Sequence, residues 1–151
     1  MEIVVVGHLS RDLIITPEQT REALGGGPAY AMICPSLGAL GTGIVTRVGS
    51  DFEQSYIDML KNSNLDLSGF RTAGKKTTRF VNEYDTNGKR TQRVESVAPE
   101  IRSADLLPNH LQANIIHFTP ILNEVHHTCI ESARSYGALV SLDVQGFTRK
   151  L

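Results

Sequence analysis

Residues 3–6, Ile3-Val4-Val5-Val6, form an uninterrupted β-branched run closed by Gly7. A strand with no polar face has to be covered on both sides. A parallel sheet between two helix layers provides that cover, and a sheet with one wet face does not. The later segments suit such a sheet. Residues 42–48, 113–118 and 139–142 read as further buried strands. Helical segments fall between them at about 52–62 and 124–136, with a short helical turn at 103–107. Gly49-Ser50-Asp51 reads as the cap of the first helix, with Asp51 at its N-cap, and Gly137 closes the second. Gly25-Gly26-Gly27-Pro28 breaks the chain ahead of another helix that runs to about Leu37. Pro28 suits its first turn, and Pro35 should kink or shorten its last. Strands alternating with helices imply an α/β domain with a mostly parallel sheet.

A different pattern interrupts this alternation. Residues 13–16 read as an extended piece ended by Pro17. Residues 77–84 and 90–97 read as two strands joined by Asp85-Thr86-Asn87-Gly88, and Asn-Gly is a strong hairpin signal. Thr77, Thr78, Arg79, Asn82 and Glu83, then Arg90, Thr91, Gln92, Arg93 and Glu95, are too polar for a central sheet. They suit a flap over a site.

Composition narrows the function classes. The chain has 151 residues, enough for a real core, and a formal net charge of -1. That charge gives no general pull toward nucleic acid or an anionic membrane, so neither is expected as a partner. No apolar stretch approaches the roughly 20 residues that span a bilayer. The acidic residue at position 2 and the short apolar run after it do not read as a signal peptide, which makes the cytoplasm the expected location. Cys34 and Cys129 stand far apart in apolar, helix-like contexts and read as buried free thiols. His126-His127 point in different directions on a helix, and no metal site is expected. His117 reads as a core or loop histidine.

Asp12 lies just past the first strand. In open α/β sheets ligands bind beyond the carboxyl ends of the strands, where a carboxylate can accept two hydrogen bonds from a vicinal diol. Position alone favours a solvated loop aspartate. Three consecutive glycines cost more entropy than a plain turn needs, so Gly25, Gly26 and Gly27 read as a close approach of backbone to ligand. The segment after Gly7 is His8-Leu9-Ser10, which is not a dinucleotide fingerprint. Arg79, Arg90 and Arg93 could neutralise a phosphate, although a solvated sheet face explains them as well.

The string Val4-Val5-Val6-Gly7-His8-Leu9-Ser10-Arg11-Asp12 is similar to the first strand and sugar-binding loop of the PfkB (ribokinase-like) carbohydrate and nucleoside kinases. Gly25-Gly26-Gly27-Pro28-Ala29-Tyr30-Ala31 resembles their first signature. Thr46-Arg47-Val48-Gly49-Ser50-Asp51-Phe52 resembles the strand and turn that follow, and Leu142-Asp143 a later strand facing the cleft. The resemblance implies a ribokinase-like α/β fold with a small inserted β lid, here segments of about 13–24 and 77–97, over residues 1–151. It implies that Ser10, Asp12, Gly25, Gly26, Gly27 and Tyr30 bind a sugar or nucleoside, with Arg79, Thr119 and Asp143 as further cleft residues. Tyr30 stands where members often have an asparagine, which argues against ribose itself. For a whole enzyme of this kind the resemblance implies ATP and Mg²⁺. The family's Gly-Ala-Gly-Asp segment, with its catalytic base and phosphate-binding turn, does not follow Asp143, so no catalytic residue and no bound cofactor are expected within these residues. Two readings follow: the substrate-binding half of a longer kinase, or a non-catalytic sugar-binding or dimerisation module. The run Gly146-Phe147-Thr148-Arg149-Lys150-Leu151 favours the first. A homodimer through the lid or an exposed sheet edge is expected in either.

Overall fold

The computed structural model describes residues 1–39 and 41–149. Leu40, Lys150 and Leu151, the last two belonging to the chain-end run above, lie outside the described residues. The main sheet contains β1 (Ile3–Val6), β4 (Thr42–Val48), β5 (Asp66–Thr72), β8 (Ile115–Phe118) and β9 (Leu139–Leu142). Their order is β5-β4-β1-β8-β9, and every pairing is parallel. Because strand side chains alternate, the central run of β1 supplies both faces. Val4 and Val6 pack with Val45, Ile116, Phe118 and Cys129 on one side. Val5 packs with Ile44, Val48 and Leu60 on the other. Fully burying such side chains stabilises the fold by about 1.5–3 kcal/mol each.

The second sheet contains β2 (Ser10–Ile15), β3 (Thr20–Gly25), β6 (Arg79–Tyr84) and β7 (Arg90–Ser96), in the order β3-β2-β6-β7. Two antiparallel hairpins, β2–β3 and β6–β7, are joined by parallel pairing of β2 with β6. In the second hairpin the Asp85 carboxylate accepts from the Asn87 and Lys89 amides at 2.8 and 2.9 Å, and Gly88 takes φ 77°.

Several local readings are corrected. Residues 28–37 are α-helical only in α1 (Gly27–Tyr30) and continue as a 3₁₀ helix, Ala31–Leu37. Pro35 has no amide proton, and its ring crowds the carbonyl four residues back, so the wider helix cannot persist. Asp51 does not cap α2 (Gln54–Asn62), whose N-cap residue is Glu53 and makes no side-chain cap. The Asp51 carboxylate instead accepts from the Thr77 amide and hydroxyl at 2.7 and 2.8 Å, tying α2's approach loop to the foot of the lid. Asp12 lies within β2, not on a loop, because β2 starts at Ser10 and pairs along its length with β3. Strands β3 and β5 and the short helices α3 (Pro108–Leu111) and α5 (Gln145–Thr148) go beyond the sequence reading. Cys34 is partly exposed, while Cys129 is buried, and its thiol is pushed up to about 12 by that burial.

Helix α4 (His127–Ser135) starts later than residue 124 because Glu124 is turned into the protein. Its carboxylate accepts from the amides of His8 at 3.0 Å, Ile121 at 2.9 Å and Leu122 at 2.7 Å. This one side chain joins the loop after β1 to the loop after β8. Glu124→Ala should strand three amide donors, each costing about 1–3 kcal/mol when unpaired. Even at the low end of that sum, about 3 kcal/mol, the expected loss is about 6–12 °C in Tm, read by circular dichroism, and it should be smaller in Glu124→Gln, which keeps an acceptor oxygen.

Candidate functional site

The lid sheet faces the carboxyl ends of β1, β8 and β9 across a cleft of about 340 Å³. The period of two in its strands decides which side chains enter. Ser10, Asp12 and Ile14 do so from β2, Phe80, Asn82 and Tyr84 from β6, and Arg90 and Gln92 from β7. The main sheet contributes Thr119 and Ile121 after β8, and Asp143, Gln145 and Arg149 after β9. The same alternation turns Arg79 and Arg93 away. Arg79 pairs with Glu22 at 2.7 Å and Glu95 at 3.1 Å, and Arg93 pairs with Glu95 at 3.3 Å. Arg79 is therefore absent from the cleft wall, where the resemblance had put it. The structure brings Ser10, Asp12, Gly25, Gly26, Gly27, Tyr30, Thr119 and Asp143 together around one cleft. Tyr30 stands at its rim with 73% of its surface exposed.

The glycine run fits between two walls. A Cβ on Gly25 would lie 2.6 Å from both the Asp12 carboxylate and the Ser10 hydroxyl. At Gly26, φ is 89° and a Cβ would run into the His8 carbonyl oxygen, while at Gly27 it would run into the Thr119 side chain. Only residues without a side chain let the chain pass between the lid strand and the end of β8.

His8 holds the lid to the main sheet. Its ring is fully buried, with Nε2 3.0 Å from the Pro99 carbonyl oxygen and Nδ1 2.8 Å from the Thr78 hydroxyl. A carbonyl can only accept, so Nε2 carries the proton and Nδ1 accepts from Thr78. Thr78 in turn accepts from the Ala98 amide at 3.0 Å. Burial keeps this imidazole below its ordinary range, hence neutral at pH 7.

Asp12 differs from every other buried carboxylate described. Its Oδ1 is buried and has no hydrogen-bond partner among the described residues. Desolvation pushes its carboxyl above the usual aspartate range, against opposing contributions from the Ser10 hydroxyl and the Arg149 and Arg79 guanidinium groups. Asp12 lines the cleft, so its carboxylate is an acceptor that an entering group meets, while the unpartnered Oδ1 itself is covered. Nearby, Gln92 Nε2 donates to Asn82 Oδ1 at 2.6 Å, so the lid wall offers further amide donors and acceptors. None of Asn82, Gln92, Phe80 and Arg149 was singled out as a site residue in the sequence, where the first two stood only among the polar flap residues and Arg149 only in the chain-end run. The alternation of β6 and β7 could have revealed the first three once Asp12 set the face, whereas nothing local marks Arg149.

Among the described residues no three His, Cys, Asp or Glu side chains converge to hold a metal, and no helix is long and apolar enough to cross a membrane.

A carboxylate held above its usual range destabilises the fold as pH rises through the interval between its unfolded and folded values. Asp12→Asn should therefore raise Tm at pH 7 by about 2–8 °C, from about 1–2 kcal/mol of relieved desolvation. The gain should vanish under acid conditions where both forms are neutral. Thermal melts across pH 3–8 check both statements.

Comparison with known proteins agrees with this geometry. No protein-family model matches the chain. A cytidine kinase from Thermococcus kodakarensis is 31% identical over 123 residues, which are 80% of this chain and 44% of that protein. The solved structure of a pyrophosphate-dependent kinase in the ribokinase family, in complex with sulfate, superposes with a TM-score of 0.81 at 25% identity, covering 97% of this chain and 51% of that one. A ribokinase from Thermotoga maritima has the same fold, with a TM-score of 0.77 at 21% identity over 98% of this chain and 54% of that one. Sequence and fold together give this chain the ribokinase-like fold, and it spans about half the length of the ribokinase-like kinases it is similar to.

Proposed function

We propose that this chain supplies the acceptor-binding half of a kinase that phosphorylates a hydroxyl of a sugar or nucleoside. The observation that carries the reading is the Asp12 carboxylate, with one oxygen unpartnered, in the wall of a polar cleft. Vicinal hydroxyls entering there would donate to Asp12, replace its missing hydrogen bonds and fix the orientation of the reacting hydroxyl. Ser10 and the Gly25-Gly26-Gly27 backbone would pack against the same ring. Tyr30, with its ring largely exposed at the rim, would cover or stack on it. The kinases among its relatives support transfer of a phosphoryl group to that hydroxyl.

ATP is the donor we propose. The described side chains do not form a Mg²⁺ site, so any metal would arrive on the donor's phosphates, and no step here depends on it. Similarity to a pyrophosphate-dependent kinase makes pyrophosphate the second donor to assay. A second copy of the chain is the proposed partner, meeting either the lid or the β9 edge, where Leu139 is 66% exposed. The free thiols suit the cytoplasm.

Calorimetry with a panel of nucleosides, pentoses and inositols tests the acceptor site directly. A member of the panel should bind, and Asp12→Asn should weaken it about 10–100-fold, the worth of one or two hydrogen bonds to a charged group. A panel that shows no binding, or equal binding by the variant, contradicts the proposal. Assays with ATP–Mg²⁺ or pyrophosphate then separate a catalytic partnership from a binding module, which would bind without turnover.

A further inference from the structure

Both feet of the β6–β7 hairpin meet on one imidazole, that of His8. Thr78, just before β6, places its hydroxyl 2.8 Å from Nδ1, and the Pro99 carbonyl, after β7, lies 3.0 Å from Nε2. The Thr78 oxygen also accepts from the Ala98 amide at 3.0 Å, which ties the two feet to each other. This grip works in one protonation state. With the Nε2 proton committed to a carbonyl, Nδ1 has to stay bare to accept from Thr78. A second proton, on Nδ1, turns that acceptor into a donor aimed at the Thr78 oxygen and forces the hydroxyl proton out of its bond. It also places a positive charge on a fully buried ring.

The charged groups around the ring do not offset this cost. Glu124, ahead of α4, attracts the extra proton, but its carboxylate is already committed to three amides. Arg47 on β4, fixed by two 3.0 Å bonds to Asp105, repels it. The hairpin side presents Thr78, Ala98 and Pro99, which carry no charge. Burial outweighs the Glu124 attraction and keeps the attached ring below the ordinary histidine range. In a released hairpin the ring meets water and takes its proton in that ordinary range. Acid therefore favours release. Below the ordinary range each pH unit shifts the balance by about tenfold, until the attached ring protonates as well.

We propose that His8 is a proton-sensitive latch: neutral, it fastens the β6–β7 hairpin to the main sheet, and protonated in mild acid it lets the hairpin go. The hairpin carries Asn82, Tyr84, Arg90 and Gln92 of the cleft wall, so acid takes that wall away whatever the cleft binds. Two other titrating groups are separable from the latch. His110 is also fully buried, but its partners are Leu107, Ser68 and Asp66, at the start of α3 and on β5. Asp12 acts with the opposite sign, because acid relieves the cost of its burial.

Hydrogen exchange of the ligand-free chain, corrected for the intrinsic pH dependence of exchange, tests this. Between about pH 7.5 and about pH 5, protection of the β6–β7 amides should fall about 10–30-fold relative to those of β1 and β4. His8→Gln keeps an amide donor and acceptor but does not titrate, and it should abolish that differential loss. NMR of the histidine ring nitrogens in the unaltered chain gives a second reading should the variant fail to fold. There Nδ1 should gain its proton together with the loss of hairpin protection. Three results overturn the proposal: hairpin and main-sheet protection falling in parallel, a His8→Gln chain that keeps the differential loss, or a ring that protonates in the ordinary range while the hairpin stays protected. No ligand enters the measurement, so it stands or falls apart from the acceptor-site titration.

Discussion

The site depends on a polar knot beneath it, centred on the Glu124 carboxylate and the His8 ring. Glu124 gathers amides from the loops after β1 and β8, and His8 reaches from the first of these loops to Thr78 and Pro99 on either side of the β6–β7 hairpin. Apolar packing makes the main sheet, but it has no means of fixing the angle of a separate, mostly polar lid. Directional hydrogen bonds from buried groups do, because each leaves a costly orphan if the lid moves away. The Arg11 contacts to Glu53 at 2.8 Å and Asp51 at 3.5 Å reinforce the same hinge from outside. Being partly exposed, they contribute less.

Within that frame Asp12 stands out because it is left unsatisfied. Nearly every buried polar group around it has found a partner, yet this carboxylate has one oxygen without any. Stability alone would favour an asparagine or an apolar residue there. A carboxylate lining a cleft of about 340 Å³, walled by amides, a hydroxyl and close-packed glycines, supports the proposed ligand rich in hydroxyl donors. Binding and stability pull in opposite directions at this position, as is common where a site must be ready before its ligand arrives.

Much of the architecture was legible in the sequence. The unbroken apolar run of β1 demands two covered faces, and Asn87-Gly88 between polar strands announces a hairpin. What escaped has identifiable causes. Strand β3 carries Thr20, Arg21, Glu22 and Ala23, with helix-tolerant residues among them, and is a strand because β2 offers it a ladder. Strand β5 is interrupted by Gly69, whose missing side chain makes room for the Ile44 carbonyl beside a register shift in β4. Residues around Asp12 and Gly25 could be read from motif order, whereas separating Arg90 from Arg79 required the lid's register. Arg149 joins the cleft only through the path of the chain after β9.

The most direct measurement is the titration of the Asp12 carboxyl carbon by NMR, alone and saturated with the tightest-binding nucleoside or sugar. The account predicts a midpoint above the ordinary aspartate range in the free protein, which falls when hydroxyls donate to the carboxylate. An ordinary midpoint in the free protein, or one that a bound ligand leaves unmoved, would contradict it.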